Sequence, residues 1–108
     1  MKLINLTPHD VMICDERNRV TMIYKQCGER PARVCTDFEE LGEINGVPLM
    51  VRRQNEVVDL PDPKEGVMYI VSNIVFDFCT DRTDLIAPVQ QVKVNGQVIG
   101  NRAFIGRR

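Results

Sequence analysis

Tryptophan is absent, histidine occurs once, and tyrosine and phenylalanine number only two and four among 108 residues. One histidine cannot build a histidine-based metal site. The four cysteines, at positions 14, 27, 35 and 79, form no CxxC pair or short Cys/His cluster to supply the missing ligands. Neither GxxxxGK nor GxGxxG occurs, so phosphate binding would rest on arginines and backbone turns rather than on a glycine-rich loop. No stretch approaches the roughly 18–20 apolar residues of a membrane span. Met1-Lys2 leads directly into a short strand rather than a longer apolar core, which reads as no secretory leader. The net charge of −1 supplies no global field to recruit nucleic acid or an anionic membrane. These exclusions predict a reduced, cytoplasmic protein with no metal, no cofactor, no membrane and no direct DNA binding.

At 108 residues the chain reads as a single domain, 1–108, long enough to bury a core without metal or disulfide staples. Cys14, Cys35 and Cys79 lie in apolar runs, where a free thiol behaves as a small hydrophobe. Ten of the cations are arginines and four are lysines. Arginine presents a planar fork suited to carboxylate and phosphate, whereas lysine is the commoner solubiliser. Many surface arginines nevertheless sit in solvent or in loose ion pairs.

Lys2–Asn5, Val11–Cys14 and Val20–Tyr24 read as three short strands, with Asn18 suited to a left-handed turn between the last two. Ala32 to Ile44 reads as an irregular strand, because Asn45-Gly46 is a hairpin signal with Val47–Val51 as its return. Pro48 marks that return as a sheet edge or a strand start. Leu60 to Gly66 is a tight surface turn before the apolar strand Val67–Val71. Ser72 caps a short helix over Asn73–Thr80, apolar nearly all round and expected to be largely buried. Pro88 is expected to end the segment after the helix corner. Asn95-Gly96 joins Gln91–Val94 to Gln97–Ile99, and Gly100 is expected to interrupt before Arg102–Ile105. The sum is a mostly-β α+β domain of about seven short strands, with two Asn-Gly hairpins and one short central helix.

Three stretches carry a resemblance: Asn5-Leu6-Thr7-Pro8-His9-Asp10-Val11; Leu60-Pro61-Asp62-Pro63 through Gly66 into Tyr69-Ile70-Val71-Ser72; and Arg82-Thr83-Asp84-Leu85-Ile86-Ala87-Pro88 with the closing hairpin to Phe104. Together they resemble the small NLTPH-type proteins of bacteriophages and prophage-rich bacterial genomes. The resemblance spans nearly the whole chain, with the cysteines and Arg52-Arg53 outside its pattern. It implies an accessory role in an infected bacterial cell, such as counter-defence. Similar small phage proteins, the Thoeris and CBASS anti-defence proteins, act as sponges for nucleotide-derived immune signals, an analogy of size and context.

The candidate residues are singled out by their chemistry. Pro8 fixes its own φ and restricts Thr7, so His9 sits in a stiff turn, where its imidazole can act as base, as ligand contact or as turn residue. No nucleophile or orienting carboxylate is evident for catalysis. Asp84 and Arg82 come after the helix as an ion pair or as members of a pocket, with Arg82 favoured by the helix dipole. Phe76 is either core or a platform for a nucleobase that Asn73 hydrogen-bonds. Arg102 alternates in a strand and is better placed than Arg107 or Arg108 to clamp phosphate. The expectation is a non-catalytic protein that sequesters an anionic, nucleotide-derived small molecule through Thr7, His9, Asn73, Phe76, Arg82, Asp84 and Arg102. So small a domain has little interior for a deep pocket, which points to a homo-oligomer enclosing the ligand between subunits. The alternatives are an inhibitor of a host defence enzyme that docks by the Pro48 strand, and a small hydrolase using His9.

Overall fold

A computed structural model describes residues 1–108 and shows eight strands and one helix. In chain order these are β1 (Lys2–Asn5), β2 (Val11–Cys14), β3 (Val20–Tyr24), β4 (Arg33–Ile44), β5 (Val47–Val58), β6 (Val67–Ile70), α1 (Asn73–Phe78), β7 (Leu85–Val94) and β8 (Gln97–Ile105). Six strands form one sheet in the order β1-β6-β7-β8-β2-β3, and β4 and β5 form a separate two-stranded arm. β6 pairs in parallel with both β1 and β7. Parallel neighbours need a crossover, and α1 supplies the one between β6 and β7. No helix is long and apolar enough to cross a membrane.

Alternation along the apolar strands builds a core on each face of the sheet. Tyr69, Val71, Leu85 and Ala87 face α1 and join Val75, Phe76 and Cys79 in the larger cluster. Ile70 and Ile86 point the other way and gather Val11 with Leu3, Ile13, Met68 and Phe104. Both Asn-Gly pairs make the expected turns, with φ of 52° and 81° at Asn45 and Gly46 and 52° and 80° at Asn95 and Gly96. Asn18 takes the left-handed conformation between β2 and β3, at φ 62°.

Four boundaries differ from the sequence expectation. β5 runs on from Val51 to Val58, through the polar Arg52–Glu56, because both faces of the arm meet solvent and no apolar alternation is required there. Pro88 does not end a segment; it lies inside β7, paired with Phe104, at a level where β6 has already stopped and no ladder needs its missing N–H. Gly100 likewise continues β8. A Cβ there would lie 2.6 Å from the Met12 carbonyl oxygen and 2.9 Å from the Cys14 sulfur, so glycine is what lets β8 approach β2. α1 ends at Phe78 rather than Thr80, and it buries Val75 and Phe76 while Ile74 stays 57% exposed, because one short helix on a sheet covers only one of its sides.

Candidate functional site

The NLTPH segment is first a folding device. The Asn5 side chain is buried, and its Nδ2 donates to the carbonyls of His9 (2.8 Å) and Tyr24 (2.9 Å), while its Oδ1 accepts from the Thr7 amide (2.9 Å). The Thr7 hydroxyl, also buried, lies 2.7 Å from Asn5 Oδ1 and 2.8 Å from the His9 carbonyl, two acceptors for its single proton. A buried polar network of this kind is stable only when its members are satisfied, and this one is. The turn therefore presents His9 rigidly. His9 enters the network through its carbonyl alone, and its side chain faces outward.

Two recesses flank this turn. The first, of about 360 Å³, is lined by Thr7, Pro8, His9, Ser72, Asn73 and Asn101 among others, so the fold brings Thr7, His9 and Asn73 together as expected. Asn73 Nδ2 donates to the Pro88 carbonyl at 3.0 Å. The lining contains no guanidinium.

The other four expected residues lie elsewhere. Phe76 is packed in the core under the Arg107 guanidinium, whose centre is 3.9 Å from the ring centroid. Arg107 also donates to the carbonyls of Cys79 (3.1 Å) and Phe76, closing the C-terminal end of α1. The same segment's burial pushes the Cys79 thiol pKa up, which keeps it a neutral core group. Arg82 and Asp84 form a two-pronged pair, Nε to Oδ1 and Nη2 to Oδ2 both at 2.7 Å, with side chains only 19% and 14% exposed. The hydrogen-bonded guanidinium holds the Asp84 carboxyl below its ordinary range, and the carboxylate in turn raises Arg82. Arg102 donates to the Asp15 carbonyl (2.8 Å) and to Asn18 Oδ1 (2.7 Å), bracing the β2–β3 turn.

The second recess, of about 400 Å³, was not anticipated. Lys2, Lys25 and Lys64 line it over a floor containing Leu3, Ile4, Leu6 and Tyr69, with Cys27, Glu29 and Pro61 on its wall. Three of the four lysines thus converge from β1, the segment after β3 and the turn before β6. Lys2 and Lys64 have no carboxylate partner, and Lys25 lies 3.6 Å from Asp10 Oδ2 in a contact that is 79% exposed on the lysine side. Such an exposed pair is weak and readily exchanged. Arg82 Nη2 also donates to the Pro61 carbonyl at 2.9 Å, so the Arg82–Asp84 pair buttresses this wall from behind. In sequence the lysines are 23 or more positions apart and carry no motif; the parallel β1–β6 pairing brings Lys2 and Lys64 together, and the bridge between Asn5 and Gln26 adds Lys25. Neither the four cysteines nor the carboxylates and His9 form a cluster of three that would suit a metal ion. Comparison with protein-family models, curated proteins and solved structures finds no match for this chain, so its site is read from geometry alone.

Proposed function

We propose that this chain is a non-catalytic binding protein that captures an anionic, nucleotide-derived small molecule in the Lys2–Lys25–Lys64 recess. The single observation that carries the reading is the convergence of three lysines over an apolar floor, two of them without a carboxylate partner. A volume of about 400 Å³ lies within the range of small-molecule sites. Ammonium groups on flexible stems suit phosphate as point charges, while Leu3, Ile4 and Tyr69 offer apolar area to the rest of the ligand. The Thr7–His9–Asn73 recess, lined by neutral polar groups, one imidazole and the Asp10 carboxylate, suits the uncharged, hydrogen-bonding edges of a second moiety or a separate polar ligand rather than a second anion. In the phage setting that the sequence resembles, the role is sequestration of an immune signal in the cytoplasm of the infected cell, by a homo-oligomer.

The test is thermal stabilisation by a panel of cyclic nucleotides, ADP-ribose derivatives and common metabolites, followed by mass spectrometry of the released ligand. One anion should raise the melting temperature and be recovered unchanged, and Lys2→Ala with Lys64→Ala should abolish the shift. A flat panel overturns the reading, and a chemically altered ligand replaces it with an enzyme. A second reading, inhibition of a host defence enzyme through the strand that carries Pro48, is favoured by the projecting arm with its two open strand edges. Co-purification of a host protein that is lost on deleting the arm would support it.

A further inference from the structure

The β4–β5 arm is unlike the rest of the molecule. Its strands are 12 residues each, roughly 40 Å long at 3.3 Å per residue, and it exposes Phe38, Leu41, Ile44, Val47, Leu49, Met50 and Val51. A lone two-stranded ribbon gains little from burying its own side chains, so apolar residues kept on it call for a cover.

Residues paired across the ladder share a face, and register therefore sorts the arm into two sides. On the side that continues toward the body lie Val34 and Val57, which pack against the core, then Phe38 with Arg52 stacked 5.9 Å over its ring, then Glu40, Met50, Glu43 and Pro48. The outer side carries, from the tip inward, Ile44 with Val47, Gly42 with Leu49, Glu39 with Val51, and Asp37 with Arg53. The bulge at Leu41 shifts the alternation and produces this sorting. The ion pair between Arg53 and Glu39, at 3.1 Å, places both on the outer side.

We propose that the outer side of the arm is a self-complementary interface through which two copies of this chain associate about a two-fold axis running along the arm. Under that symmetry β4 of one copy faces β5 of the other, so each intrachain pair defines its own cross-interface pair. Ile44 then meets the second copy's Val47. Leu49 enters the space over the second copy's Gly42, where nothing lies within 4 Å of the Cβ position. Asp37 faces the second copy's Arg53, and the reverse pair forms at the symmetric position. Apolar meets apolar at the tip and acid meets base nearer the root, while Glu39 between them lies opposite the second copy's Val51 and keeps Arg53 of its own chain as its partner. The opposite side suits such a pairing less well: Glu40 and Glu43 would both be set against Met50 and Pro48, its one cation, Arg52, is stacked over Phe38, and the body occupies its base. The interface uses only residues of the arm and the lysine recess uses none of them, so the interface stands whether or not that recess takes an anion.

The area of one ribbon face puts this contact at the small end of specific interfaces, so the dimer should dissociate in the micromolar range, near ~10 µM. Sedimentation equilibrium of the full chain tests it, with circular dichroism to confirm folding. The parent should pass from monomer to dimer as its concentration rises tenfold either side of that value. Leu49→Arg should stay monomeric and folded, since that side chain lies outside the core. Asp37→Arg and Arg53→Asp should each be monomeric alone yet form a heterodimer when mixed, because mixing restores both charge pairs; a misfolded variant would not be rescued this way. A parent that stays monomeric at about 200 µM, a dimer that survives Leu49→Arg, or single variants that associate no better mixed than apart would each overturn the proposal. So would capture by the outer side of a different protein in preference to a second copy.

Discussion

In the six-stranded sheet, Ile70, Val71 and Leu85 have no exposed surface, whereas in the arm Ile44 and Val47 are 56% and 64% exposed. Both regions use β-branched and aliphatic residues, and both turn on Asn-Gly, yet only one of them has α1 and a second layer of side chains to pack against. The arm also accounts for the shape. The radius of gyration is 16.9 Å, against the ~13 Å expected for a compact chain of this length. What differs is therefore not residue type but the presence of a partner surface. The body is stable by what it buries; the arm is held by its ladder and by its root at Val34 and Val57.

The largest test of that contrast is a matched pair of truncations. Leu85→Ala should destabilise the fold by about 3–4 kcal/mol, through lost transfer energy and the cavity left behind. Ile44→Ala should change the stability of the monomer by no more than about 0.5 kcal/mol, as exposed substitutions do. Denaturant titration at submicromolar protein separates the two, and similar values would mean that the arm is folded into the core rather than projecting from it.

Next is Asn5→Ala, which removes no apolar packing but strips partners from the Thr7 amide and from the His9 and Tyr24 carbonyls. Leaving buried polar groups unpaired should cost about 3 kcal/mol and loosen the turn that shapes both recesses. Amide exchange at Thr7 reports it directly. Slow exchange there in the variant would show that the ladder alone holds the turn.

The Arg82–Asp84 pair gives the body a pH dependence. Asp84 has a lowered pKa in the folded chain, so its contribution is complete above its ordinary value of 3.8 and drains away as pH falls through the folded value. Asp84→Asn should cost about 2 kcal/mol at neutral pH and flatten the acid limb of stability, because a half-sheltered guanidinium loses its counter-charge. Glu39→Gln, which breaks an exposed ion pair, should cost no more than about 0.5 kcal/mol at neutral pH. A parent and an Asp84→Asn variant with parallel acid limbs would assign the dependence to other carboxylates.

How much of this could be read from the chain obeys the same division. Local signals were legible wherever one residue determines one backbone conformation: both Asn-Gly turns, Asn18, and the Ser72 cap whose hydroxyl accepts from the Val75 amide at 3.3 Å. Thr7, His9 and Asn73 were each singled out by their chemistry, but their closeness was not legible, because the parallel β1–β6 pairing is what brings the turn beside the helix start. The length of β5 was not legible either, since Arg52–Glu56 shows no alternation when both faces meet water. Nor was the fate of the arginines. The Arg82–Asp84 ion pair was one of the readings their closeness offered, but nothing in the spacing of Arg82, Arg102 and Arg107 marks the backbone carbonyls they reach. The lysine recess was invisible for a related reason: β1 and β6 meet through a pairing 65 residues apart in register, Lys2 with Val67, and sequence neighbours say nothing about it.

The smallest effect is also the sharpest comparison, because the two Asn-Gly turns are conformational twins. Gly46 and Gly96 have φ of 81° and 80°, and a Cβ at either would meet nothing within 4 Å, so alanine meets only backbone strain. Left-handed geometry costs an alanine ~1–2 kcal/mol, and the stiffer unfolded chain offsets about 0.4–1 of that. The net local penalty, ~1 kcal/mol or less, should be the same at both turns. Its global consequence should not be. Gly96 closes the hairpin of β7 and β8, which are central in the strand order but run on past β6 here, so Gly96→Ala should lower unfolding stability by part of the local amount. Gly46 lies at the far end of the arm, which can fray without opening the core, so Gly46→Ala should leave global stability unchanged and instead speed amide exchange at Ile44 and Val47. Equal global losses would show that arm and body unfold as one cooperative unit, and the distinction between them would then be one of shape and not of energy.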